Sequence, residues 1–287
     1  LKTKGYATAI FGKWHLGDAR KFLPLQHGFD EYYGLPYSND MWPNHPQYKF
    51  PDLPLIEGNE VIGYNTQQSE LTTNYTNRAV DFIRRSTGSG KPFFLYLAHS
   101  MPHVPLAVSD KFKGKSEQGL YGDVMMELQA LREAKVEENT LVILTSDNGP
   151  WANYGNHAGS SGGLREAKAT TFNGGMRVPC LFYWKGTIAP GSICNDLMSN
   201  IDILPTLVEL TGAPHPQLPI DGLSMAAILK GTNKAPIRQS LCMYYHRNSL
   251  QAITDGYYKL VFPHKYVSYE TQMPGNDGRS EERRVGK

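Results

Sequence analysis

The chain has 287 residues, 40% of them hydrophobic, with 29 lysines and arginines against 27 aspartates and glutamates for a formal charge of +2. That length suits one large α/β domain, or a main domain with a smaller appendage. The near-balance of charge argues against nucleic acid as a partner, and no apolar run approaches the ~20 residues needed to span a bilayer.

The first informative stretch is GYATAIFGKWHLG, an apolar run ending in Ile10 and Phe11 and followed by Lys13 and His15. If the strand continues, alternation places Lys13 and His15 on one face, where a cation beside an imidazole suits an anionic substrate. The plain alternative is a strand end with a solvated lysine and a structural histidine. Leu71, Tyr75, Ala79, Phe82 and Ile83 then recur at helical spacing, and KPFFLYLA supplies a strand from Phe93 to Ala98. In the next segment, AHSMPHVP, Pro102 prevents a regular helix through His99 and His103, so zinc ligation by two histidines on one helical face is not expected. His103, between Pro102 and Pro105, is the candidate proton donor or anion contact. His99 reads as a satisfied structural histidine.

YGDVMMELQALREA reads as a helix, and Leu141 to Thr145 as a fully buried strand. Asp147 and Asn148 follow that strand directly and precede Gly149-Pro150, so they fall where open α/β sheets gather ligands. Their oxygens are hard donors that suit Ca²⁺ or Mg²⁺, although an Asx turn would give the same letters. SSGGLREAKATTFNGGM reads as a mobile, glycine-hinged loop carrying Arg165 and Lys168 towards an anion, or else as a solvated loop. A strand, VPCLFYW, follows. NIDILPTLVELTG is a helix entered through Asp202 and closed by Gly212. After the polar connector at 230–239, Asp255-Gly256 between two apolar runs predicts a hairpin, and a small antiparallel unit is expected from about Ser240. The final GRSEERRVGK lacks periodicity and reads as a tail or foreign sequence. Cys180, Cys194 and Cys242 include no CxxC pair and indicate neither a disulfide framework nor a zinc site.

Taken together, these stretches resemble the type I sulfatases of the alkaline phosphatase superfamily, within the arylsulfatase A and N-acetylgalactosamine-6-sulfatase branch. The likeness runs from Gly5 to about Gly275, and GYATAIFGKWHLG matches the second family signature almost letter for letter. The resemblance implies a mostly parallel central sheet flanked by helices. It divides the chain into a catalytic domain at 1–235, a partial antiparallel α+β subdomain at 236–278 and a non-native or disordered tail at 279–287.

The same resemblance implies the site. Lys13 would bind sulfate and nucleophile, and His15 would hydrogen-bond the nucleophile. Ser38 would lie near the sulfate, and His103 would serve the leaving-group oxygen. Asp147 and Asn148 would ligate Ca²⁺, or alternatively Mg²⁺, and Lys168 would be the second sulfate-binding lysine. The implied reaction is hydrolysis of a sugar or aryl sulfate ester by a formylglycine nucleophile, installed by a formylglycine-generating enzyme. A periplasmic, secreted or lysosomal location is implied too. A phosphoester or phosphonate monoester hydrolase on the same fold, and a non-catalytic homologue, are the competing readings.

Departures from the family pattern accompany the match. None of the three cysteines has the Cys/Ser-x-Pro/Ala-x-Arg context from which formylglycine is made, and two family metal-binding aspartates have no counterpart. All of these are expected upstream of Leu1, so the sequence reads as an N-terminally truncated and inactive piece. After Gln129 the helix reads as about two turns shorter than in the family. Near Lys168, Ala169 and Asn173-Gly174-Gly175 replace the usual Gly and Glu-Gly-Gly.

Overall fold

The computed structural model describes residues 1–45, 48–129, 139–246, 248–266 and 268–269. The helix shortening expected after Gln129 and the tail beyond Gly278 therefore lie outside the described residues. The described chain forms two compact units, one of residues 1–129 with Asn153–Ala158, the other of residues 139–152 and 159–269.

In the first unit, β1 (Ala7–Gly12), β2 (Glu31–Gly34), β3 (Pro54–Glu57), β4 (Glu60–Tyr64), α1 (Leu71–Gly88), β5 (Phe93–Ala98) and α2 (Gly119–Gln129) follow in chain order. The strands form one sheet in the order β4-β3-β2-β1-β5. Its centre is parallel, as the sequence predicts: β1 pairs with β2 through Ala9–Glu31 and with β5 from Ala7–Phe93 to Gly12–Ala98. The edge differs, because β3 and β4 join antiparallel through the two-residue turn Gly58-Asn59, in which Gly58 takes φ 62°.

Both faces of the sheet centre are covered, which is why β1 is apolar throughout. One face sets Phe11 and Tyr33 against Leu71, Tyr75, Ala79 and Phe82 of α1, whose buried positions follow the period read from the sequence. On the opposite face Ile10, Tyr32 and Ile56 pack with Leu23, Trp14 and Phe29.

In the second unit, β6 (Leu141–Thr145), α3 (Asn173–Met176), β7 (Cys180–Trp184), α4 (Ile203–Thr211), α5 (Ala226–Leu229), β8 (Leu241–Tyr245), β9 (Ser249–Thr254) and β10 (Lys259–Val261) succeed one another. β6 pairs antiparallel with β7, and β8, β9 and β10 form a separate antiparallel sheet, the small C-terminal sheet expected from the sequence. The expectation of a fully buried β6 is overturned. Val142 and Leu144 are 48% and 59% exposed, opposite Tyr183 and Leu181, because alternation points all four to one uncovered face of the pair.

α4 is entered through Asp202, as the sequence predicts. The side-chain capping lies one turn earlier, where Ser199 caps the 3-10 turn Asn200–Asp202 and Asp202 returns its carboxylate to the Ser199 amide in a capping box. Asp202 is fully buried, where it accepts from the Leu223 amide at 2.8 Å and pairs with Arg238. Gly212 closes the helix at φ 62°. At the β9–β10 connection, the Asp255 carboxylate accepts from the amides of Tyr257 and Tyr258, which fixes the hairpin loop.

Candidate active site

In the first unit the candidate residues lie where the parallel strands end. At Gly12, with φ 122°, an added Cβ would stand 1.9 Å from the Ala98 carbonyl oxygen, and one at Gly34 would stand 1.8 Å from the Gly12 carbonyl oxygen. Three backbones thus meet with no room for a side chain between them. Beyond that point, the amides of Lys13, Trp14 and His15 donate to the carbonyls of Ala98, Leu35 and Pro36 at 2.7, 2.9 and 2.9 Å.

Strand geometry stops there. His15 takes φ 59°, so the alternation that would set Lys13 and His15 on one face of a continuing strand does not apply. Instead a left-handed turn aims the His15 ring edge-on at Tyr37, with ring centres 6.2 Å apart.

Ser38 and His103, 65 residues apart, are brought together: the buried Ser38 Oγ lies 3.3 Å from His103 Nδ1. Nδ1 also lies 2.6 Å from the Val104 carbonyl oxygen, an atom that can only accept, so Nδ1 carries a proton and Nε2 is the nitrogen through which a proton can pass. Asn39 fixes the approach of the two segments. Its amide nitrogen donates to Gln68 Oε1 and to the Pro105 carbonyl, while Gln68 donates back to the Asn39 carbonyl.

Asp40 was missed by sequence reasoning. Its two carboxylate oxygens lie 3.9 Å from His103 Nδ1 and 3.9 Å from His45 Nε2, with its side chain 13% exposed. The carboxylate thus lies beside the ring without reaching hydrogen-bond distance of it. The available signal was the position of Asp40 two residues after Ser38. His99, by contrast, is half-buried, but both of its ring nitrogens are buried without a hydrogen-bond partner among the described residues, and desolvation pushes its pKa down to about 4. It is a neutral histidine, not the satisfied structural one expected.

In the second unit, Asp147 and Asn148 follow β6 directly. Asp147 Oδ1 accepts from the Asn148 amide at 2.9 Å, so the Asx contact weighed as an alternative is present. It does not use up the donor set. The second Asp147 oxygen and the Asn148 side-chain carbonyl, whose amide nitrogen donates to the Gly149 carbonyl, are hard oxygens of the kind a divalent cation takes. These two residues fit part of a Ca²⁺ or Mg²⁺ shell. Among the described residues no cluster of three or more His, Cys, Asp or Glu side chains completes one.

The Lys168 loop is open at Gly162-Gly163, where an added Cβ would meet nothing, but packed from Glu166 onward. Glu166, Ala167, Thr170 and Thr171 are buried, and a Cβ at Gly174 would stand 1.8 Å from the Glu166 carbonyl oxygen. The second glycine pair therefore serves close packing rather than hinge motion. Lys168 donates its amide to the Pro150 carbonyl at 2.9 Å, and its ammonium lies 5.1 Å from the centre of the Trp151 ring. The next residue, Ala169, takes φ 71°.

The sulfatase family profile matches residues 1–213, and that of the N-sulphoglucosamine sulphohydrolase C-terminal region matches residues 167–272. N-acetylgalactosamine-6-sulfatase of Canis lupus familiaris is 38% identical over 294 residues, covering 96% of this chain and 56% of that protein. Arylsulfatase A of Homo sapiens is 37% identical over 268 residues, covering 85% of this chain and 52% of that protein. The chain thus spans about half the length of these relatives. Among solved structures, the PsFucS1 sulfatase from Pseudoalteromonas sp. superposes with a TM-score of 0.78 at 30% identity, covering 91% of this chain and 59% of that one.

Proposed function

The chain belongs to the sulfatase family, and on that premise we propose that the protein hydrolyses a sulfate ester of a sugar or aryl alcohol. The observation that carries the reading is the His103 imidazole, held by the Val104 carbonyl and Ser38 and flanked by the Asp40 carboxylate. From Nε2 the ring so placed can hand a proton to the departing alcohol oxygen, which makes the alcohol a better leaving group. Ser38, next to that ring, is assigned to orient the ester. Lys13 and Lys168 are assigned to the sulfate oxygens, where fixed ammonium groups offset charge that grows in the transition state. His15 is assigned to steady the nucleophile.

Asp147 and Asn148 would hold a Ca²⁺ ion, with Mg²⁺ as the alternative, and the bound cation would supply further positive charge beside the sulfate. The formylglycine general to the family supplies the attacking oxygen when present, and its installation calls for a formylglycine-generating enzyme. A carbohydrate sulfate is favoured as substrate, because the relative at 38% identity is named for an amino-sugar sulfate.

The test is release of sulfate from p-nitrophenyl sulfate by the full-length protein, with and without chelator, and after Asp147→Ala. Turnover should disappear in both cases and return to the wild type on adding Ca²⁺. Wild-type rates in metal-free enzyme, or phosphate-ester hydrolysis in place of sulfate-ester hydrolysis, would overturn the reading.

A further inference from the structure

The segment that leaves β10 is anchored to β9 at its start and bonds to the Lys168 loop at residues 268 and 269. Close to the strand it is anchored by the Phe262 amide, which donates to Gln251 of β9 at 2.9 Å, and by His264 Nδ1, which donates to the Phe262 carbonyl. Tyr266 then packs its ring against Phe172, with centres 5.0 Å apart, and the Arg165 guanidinium lies over the Phe172 ring, 4.3 Å from its centre. Beyond it, Ser268 Oγ and the Tyr269 amide both donate to the Glu166 carboxylate, at 2.8 and 2.7 Å. Finally, the Tyr269 hydroxyl donates to the main-chain carbonyl of Lys168 itself at 2.9 Å.

Glu166 is buried and sits at φ 59°, and Ala169 at φ 71°. Two non-glycine residues in the left-handed region on either side of Lys168 persist only where the surroundings hold them. The hydrogen bonds from residues 268 and 269 are such a hold: two seat the Glu166 carboxylate and one, from the Tyr269 hydroxyl, acts on the backbone carbonyl of Lys168.

We infer that Tyr269 is a positioning residue for Lys168, acting through the Lys168 carbonyl, with Glu166 and Ser268 as the latch that seats it. The inference rests on the reading of Lys168 as a sulfate-binding cation. If the ammonium must meet a sulfate oxygen in one place, a loop free to shift loses part of that contact, and the loss is felt in turnover and not in the stability of the core.

The experiment uses the full-length protein and p-nitrophenyl sulfate, with four proteins: wild type, Tyr269→Phe, Lys168→Ala and the double variant. Removing one neutral hydrogen bond should lower kcat/KM about tenfold in Tyr269→Phe while leaving the unfolding midpoint nearly unchanged. In the Lys168→Ala background the same change should do nothing further, because the group being positioned is gone. An equal loss in both backgrounds, or no loss in either, overturns the inference while leaving the role of Lys168 standing. A Lys168→Ala enzyme with wild-type kcat/KM instead overturns the reading of Lys168, and the inference falls with it. Should Tyr269→Phe fail to fold, Ser268→Ala, which removes one of the two donors to Glu166, is judged by the same non-additivity. Weaker inhibition by inorganic sulfate in Tyr269→Phe than in wild type is the accompanying binding result, and unchanged inhibition counts against the inference.

Discussion

Lowering the pH from 8 to 5 should remove about 2 kcal/mol of folding stability through His99 alone. The ring lies just beyond β5, packed 6.2 Å from Tyr75, and both of its nitrogens lack hydrogen-bond partners among the described residues. Burial holds its pKa at about 4, against 6.5 for a free histidine. The unfolded chain therefore takes up a proton below 6.5, whereas the folded chain refuses one until about 4. Stability is fully present above the unfolded pKa and is lost as the pH falls towards the folded one. The whole shift is worth about 3 kcal/mol, of which about two thirds is lost by pH 5.

The assay is urea unfolding of the full-length protein at pH 8, 7, 6 and 5, beside a His99→Leu variant of similar side-chain volume. Halting at pH 5 keeps the hydrogen-bonded carboxylates of Asp30 and Asp255 ionised, since their pKa values are lowered in the fold. The wild type should lose stability across this range more steeply than the variant by about 2 kcal/mol. Parallel pH profiles for the two proteins would refute the reasoning, because no other change in the variant removes a titrating group.

Two further outcomes follow from buried or strained positions. Asp202→Ala leaves the Arg238 guanidinium, 8% exposed, without its carboxylate, and should cost about 3–5 kcal/mol; a midpoint shift worth under 1 kcal/mol would contradict that. Ala169→Gly should instead raise stability by about 0.5–1 kcal/mol, because relief of a left-handed alanine exceeds the added freedom of the unfolded chain, and a lower melting temperature would count against it.

What the sequence discloses depends on whether one face of an element is buried. α1 was legible because Leu71, Tyr75, Ala79 and Phe82 all face the sheet, so the helical period is written in apolar letters. The bounds of β5 and β6 were legible as apolar runs, but the burial of β6 was not. A run such as LVILT reads the same whether both faces are covered or one is open. β4 is mostly exposed along its length, and with β3 it left only the Gly58-Asn59 turn as a sign. At the site, the motifs placed Lys13, His103 and Asp147 after strands, and there the structure has them. The pairing of Asp40 with His103 and His45 has no local period to betray it, and neither does the contact of Tyr269 with a residue 101 positions earlier.

That separation bears on the order in which the protein can take shape. Closing a loop of about a hundred residues costs about 4 kcal/mol of chain entropy, more than the few hydrogen bonds of residues 268 and 269 can return by themselves at about 1 kcal/mol each. A β8–β10 sheet already formed would shorten the span that has to be closed, and the Lys259 ammonium, bonded to the Thr171 carbonyl at 3.0 Å, ties that sheet to the loop. Until residues 268 and 269 have joined the fold, the backbone around Lys168 lacks the hydrogen bonds that they give to Glu166 and to the Lys168 carbonyl.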